Sequence, residues 1–122
     1  MNIRNVELQA DFLDADFMEV FENALKKMQK RANEAKTKKW ESNAKAMREI
    51  CDYINVFFDE VFGEGTSEKI FGGKANVSDH FDALEAVYDE RDRVNGKLAN
   101  VRNKYIQRQA GYQNRQQRRH GK

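Results

Sequence analysis

The chain has 122 residues, of which 34% are charged, with a net charge of +2, one cysteine and no proline. That length bounds it to one domain burying roughly two thirds of its unfolded surface, so no disulfide or structural metal is required. One cysteine excludes an internal disulfide, and no apolar run suits a signal-peptide core or a bilayer span; the chain reads as cytoplasmic, with no membrane partner.

Taken in order, Val6, Leu8 and Ala10 alternate with polar neighbours and predict a short N-terminal extended arm. Asp14 is the expected N-cap of a first helix from Ala15 to Ala35, on which Phe17, Val20, Phe21, Ala24, Leu25, Met28 and Ala32 recur at helical spacing. A polar connector at 36–39 leads to a second helix, its inner face carrying Trp40, Ala44, Met47, Ile50, Ile54, Phe57 or Phe58, and Val61. Two apolar stripes need mutual cover, which favours an antiparallel pair. The connector holds no strong breaker, so a single bent rod is the alternative. Cys51, on the apolar face of this helix, reads as a small buried side chain with no basic neighbour to activate it.

The stretch FFDEVFGEGTSEKIFGG, residues 57–73, is where the chain turns, since four of the seven glycines crowd into it. Gly63 should end the second helix in a conformation only glycine adopts freely, and Gly65 frees the chain to reverse. Thr66 or Ser67 is expected to cap a helix of one or two turns, closed by Gly72 and Gly73. A phosphate loop needs lysine followed by a hydroxyl residue, and Lys69 is followed by Ile70; the dinucleotide fingerprint places Glu68 where its third glycine belongs. These glycines therefore read as a structural turn, and no cofactor is expected.

Asn76 or Ser78 begins a third long helix, with Val77, Leu84, Val87, Val94, Leu98, Val101 and Tyr105 forming a heptad-like seam that His80 and Arg91 interrupt. A packed bundle face is the plain reading, and self-association through this helix the alternative. The helix is expected to fray before Gly111, giving a helical domain over 1–106 and a flexible basic tail over 107–122. In that tail Arg108, Arg115, Arg118 and Arg119 lie among glutamines and tyrosines, free to meet an acidic partner. Tyr105 and Tyr112 could stack on bases, so nucleic acid is a second candidate partner.

Charge is distributed in blocks: 7–22 holds six acids and no bases, and from Arg91 onward Asp92 stands alone against ten bases. Acids at helix starts and bases towards helix ends suit the helix dipole. Spacing that could support chemistry is lacking. Asp11, Asp14 and Asp16 would need a ligand at Met18 and glycine at Glu19 to make a calcium loop. His80 and His120 are far apart, and the adjacent pairs Asp59, Glu60 and Asp89, Glu90 diverge on a helix. The fold class is all-α: three long helices, a short helix after the glycine turn and no active site.

Three segments, VELQADFLDADFMEVFENAL, FFDEVFGEGTSEKIFGGKANVSD and the closing NRQQRR, resemble a family of small helical proteins encoded in the tail-gene region of phages and prophages of Gram-positive bacteria. The resemblance covers about the first 85 residues, and the long basic helix after Tyr88 departs from it. It implies a tail assembly chaperone in the bacterial cytoplasm, present in several copies and coating the tape-measure protein before the tail tube polymerises. Such a client needs an apolar groove, expected here to be lined by Phe57, Phe58, Phe62, Ile70 and Phe71. A nucleic-acid module acting through the tail and a component that stays in the virion are the rival readings.

Overall fold

The computed structural model describes the backbone of residues 1–120 and the side chains of residues 1–111. It is mostly helical. A two-stranded antiparallel hairpin, β1 (Asn2–Ile3) and β2 (Val6–Glu7), precedes α1 (Ala15–Thr37), α2 (Asn43–Phe62), the short α3 (Thr66–Phe71) and α4 (Val77–His120).

The hairpin turns on Arg4 and Asn5, both at positive φ, 49° and 67°. Asn tolerates that region and Arg does not ordinarily enter it. The Asn2 side chain holds the turn by accepting from the Asn5 amide at 3.1 Å, and Arg4 reaches Asp79 at the start of α4 at 3.3 Å. Ile3, Leu8 and Phe12 are thereby buried against the helices.

Asp14 caps α1, accepting from the Phe17 amide at 2.9 Å, and Ser42 caps α2, accepting from Lys45 at 3.2 Å. Between them residues 38–42 are non-helical, so the two helices are separate. Trp40, expected on the inner face of α2, instead lies before it. Its indole donates to the Ala35 carbonyl at 3.0 Å, satisfying one of the acceptors that a helix end leaves free. Helices α1 and α2 run antiparallel: Phe17 meets Phe62, Phe21 meets Phe57, and Arg31 near the end of α1 bridges Glu49 and Asp52 on the first half of α2 at 2.8 and 2.9 Å. Val20, Ala44 and Met47, also assigned inward from spacing, are exposed. At the Trp40 end the partner surface is mostly polar, and no apolar layer is left for Ala44 and Met47 to join.

Gly63 closes α2 at φ 114°, donating to Asp59 O, and the left-handed Gly72 closes α3, donating to Glu68 O at 2.8 Å. The cap of α3 is not the hydroxyl that the sequence suggested. Asp59 reaches across from α2, and its carboxylate accepts from the Ser67 amide at 2.8 Å and from the Ser67 hydroxyl at 3.0 Å. Thr66 donates to the Gly63 carbonyl at 2.6 Å instead, which tightens the loop. An acceptor of full charge at a helix N-terminus is favoured by the dipole as well as by the hydrogen bonds.

Phe12, Phe21, Phe57, Phe58 and Phe71 form an edge-to-face chain through the core, with centroids 5.3 to 5.8 Å apart. His80 ends it, stacked on Phe71 at 3.7 Å and fully buried. The core-type positions that seemed interrupted on α4 are thus filled. His80 sits among hydrogen-bond partners, and the half-buried Arg91 has its guanidinium 5.0 Å from the Tyr88 ring and 5.9 Å from Phe21.

Asn76 caps α4, accepting from the Asp79 amide at 2.9 Å. The helix does not end before Gly111; it runs on to His120. Gln, Arg and Lys are good helix formers, and one glycine costs only about 1 kcal/mol. Contact with the body, however, stops early. Ala83 and Val87 are buried and Val94 is half-buried, whereas from Asn95 to Gly111 every side chain but Leu98 is exposed. Those 17 residues form an arm roughly 25 Å long beyond the folded body.

Candidate partner-binding surface

The residues expected to line a client groove are mostly core. Phe57 is 1% exposed, Phe58 0%, Ile70 6% and Phe71 7%, so these four cannot form an open apolar trough. Their crowding around the glycine turn has a packing cause: α3 is too short to cover the end of α2 except with two large side chains. Phe62 alone remains half-buried, stacked on Phe58 at 5.8 Å. Gly63, Gly65, Gly72 and Gly73 all have positive φ, and a Cβ at Gly63, Gly65 or Gly72 would meet nothing within 4 Å. Conformation, and not close approach of a ligand, is what glycine supplies at those three. Arg108 is exposed on the arm, and the side chains of Tyr112, Arg115, Arg118 and Arg119 lie outside the described residues.

His80 is a fully buried polar side chain of the body. Its Nδ1 is 2.6 Å from the Asn76 carbonyl and its Nε2 is 2.9 Å from the Asn55 carboxamide. Burial lowers its pKa from the ordinary histidine value, opposed by the Asn76 hydrogen bond and by Asp79. The neutral ring therefore donates from Nδ1 to Asn76, and Nε2 accepts once the Asn55 amide presents its NH2 group, an O/N exchange that leaves the shape unchanged. With both nitrogens engaged and a ring stacked above, the residue is structural. Cys51 is 2% exposed and burial raises its thiol pKa, so it is no ready nucleophile. Among the described residues no cluster of three His, Cys, Asp or Glu side chains could hold a metal ion, and no helix is long and apolar enough to cross a membrane.

Two surfaces among the described residues bear on partner binding. One is a groove of about 320 Å3 between α1 and α2, floored by Ala24, Met28, Val56 and the edge of Phe57 and rimmed by Lys27, Arg31 and Glu60. The other is the arm. Val94, Leu98, Val101 and Tyr105 follow one another by four, three and four residues, continuing the stripe that buries His80, Ala83 and Val87 against the body. Cover runs out along it: Val94 and Leu98 are half-buried, whereas Val101 is 63% and Tyr105 62% exposed. In heptad terms Lys97 and Lys104 flank the seam on one edge and Arg102 on the other, and between Arg93 and Gly111 there is no acid. The sequence showed this seam, and what it hid was where the body ends.

No curated protein matches the chain, and no solved structure does. Residues 4–122 match the model of a family described as a family of unknown function, DUF6673, and the chain belongs to that family.

Proposed function

We propose that this chain is a non-enzymatic assembly protein that binds a helical client through the arm of α4, in the manner of a phage tail assembly chaperone acting in the bacterial cytoplasm. One observation carries the client-binding part: an apolar heptad seam that leaves the body half-covered at Val94 and Leu98 and continues exposed at Val101 and Tyr105, on a helix anchored at its other end. Such a stripe gains by pairing with another helix through interdigitating side chains. The tail-assembly context rests on the three segments quoted from the sequence.

The test is a pull-down of tagged full-length chain from induced lysogenic cells, beside a Leu98→Asp, Val101→Asp double variant. Retention of a long helical tail protein by the unsubstituted chain, lost in the variant while thermal melting is unchanged, is the expected result. Retention that ignores the variant, or of nucleic acid alone, overturns the proposal.

A further inference from the structure

The basic edges of the seam select its occupant. We infer that the arm docks an acidic amphipathic helix, one whose own apolar stripe is flanked by carboxylates; this rests on the client-binding reading above. Residues beside a two-helix seam face the flanking residues of the partner and set its choice and orientation. Here those residues are Lys97, Lys104 and Arg102, with Arg108 at the next seam position, and all four are exposed.

A second copy of the same arm is a poor occupant in either direction. Parallel pairing sets Lys97 against Arg102 of the other copy, and antiparallel pairing sets Lys97 near Lys104. Like charges so placed are destabilising, and the arm has no acid of its own to relieve them. An acidic helix reverses the sign of every one of these contacts while filling the same seam.

Three synthetic helical peptides of four heptads, identical in Leu and Val at the seam and carrying Glu, Gln or Lys at the flanking positions, serve as probes. Each is titrated with full-length chain at low salt, and binding is followed by anisotropy and by the helicity gained on mixing. The Glu peptide is expected to bind best, weakening as salt rises. A Lys97→Glu, Arg102→Glu, Lys104→Glu variant should lose roughly tenfold or more for the Glu peptide and gain for the Lys peptide.

Equal binding of the Gln and Glu peptides overturns the charge selection but leaves the helical-client reading standing. Binding of no peptide, together with a pull-down indifferent to the seam variant, removes the client reading itself. A chain that sediments as a dimer abolished by Leu98→Asp makes a second copy the occupant. Binding of a single-stranded oligonucleotide in place of all three peptides, with the steep salt slope of phosphate contacts, makes nucleic acid the partner. Either of those last results overturns the inference.

Discussion

Replacing Phe71 with alanine separates a core residue from a groove residue. The ring is 7% exposed, packs edge-to-face on Phe58 at 5.8 Å and lies flat on His80 at 3.7 Å. Truncating a phenylalanine so placed costs about 3 to 5 kcal/mol, combining lost transfer energy with the cavity left behind. The cooperative body, residues 1–94, has an unfolding entropy of about 0.2 kcal/mol per kelvin, so the melting temperature should fall by roughly 15 to 25 °C. A domain of this size holds only about 5 to 14 kcal/mol in total; the variant is marginal but measurable. Thermal denaturation followed by circular dichroism at neutral pH reads the shift directly. A melting temperature within about 3 °C of the unsubstituted protein, accompanied by loss of client binding, would refute the packing account and restore the groove that the sequence suggested.

Other consequences are equally open to measurement. Because burial depresses the His80 pKa, the unfolded chain binds the extra proton first as pH falls; the contribution to stability is full above about pH 6.5 and shrinks below it, by at most about 1.4 kcal/mol per pH unit. Urea titrations from pH 7.5 to 5 should show that decline and a His80→Gln variant should lack its histidine component; an identical slope in both would contradict the assignment. Asp59→Ala removes both hydrogen bonds to Ser67 and should cost about 1 to 2 kcal/mol. Hydrogen exchange at the Ser67 amide should speed up beyond the global change, and unchanged protection there would mean that the cap is inert. Ending the chain after Asn95 should leave the melting temperature within about 2 °C, since among the described side chains beyond that point only Leu98 is even half-buried; a large drop would show that the arm folds back on the body.

Much of the body was legible because helices announce themselves by period and by cap. Asp14 stood where α1 begins, and the stripe of Phe21, Ala24 and Met28 is buried as spacing implied. Periodicity fails where a residue's partner comes from another element. Asp59 sits on α2, eight residues from the amide it caps, and no local pattern distinguishes it from the solvated Glu60 beside it. Trp40 looked like the first turn of an apolar face because periodicity cannot see that an indole has an orphan carbonyl to meet at Ala35. The hairpin at the start was readable only as alternation, since its turn uses Arg4 and Asn5 where the usual signal is Asn-Gly. Crowded phenylalanines at 57, 58 and 71 suggested a surface because composition counts large side chains and not the thickness of the core that receives them. The seam on α4 was visible throughout. Which of its residues are covered depends on where α1 and α2 stop.

The continuity of α4 gives the arm a conformational advantage that a separate peptide lacks. An isolated segment of 17 such residues has to form its first turn unaided, an unfavourable step at about one part in a thousand, and would be only marginally helical in water. Here the turn at Val87 is already held by the body, so helix propagates outward into 95–111 without a new nucleus. A partner arriving at Leu98 and Val101 meets backbone that is already ordered, and loses less free energy to freezing it. The body thus serves as a template for its own appendage: loosening its grip on Val87 should weaken capture by the arm before any residue of the arm has been changed.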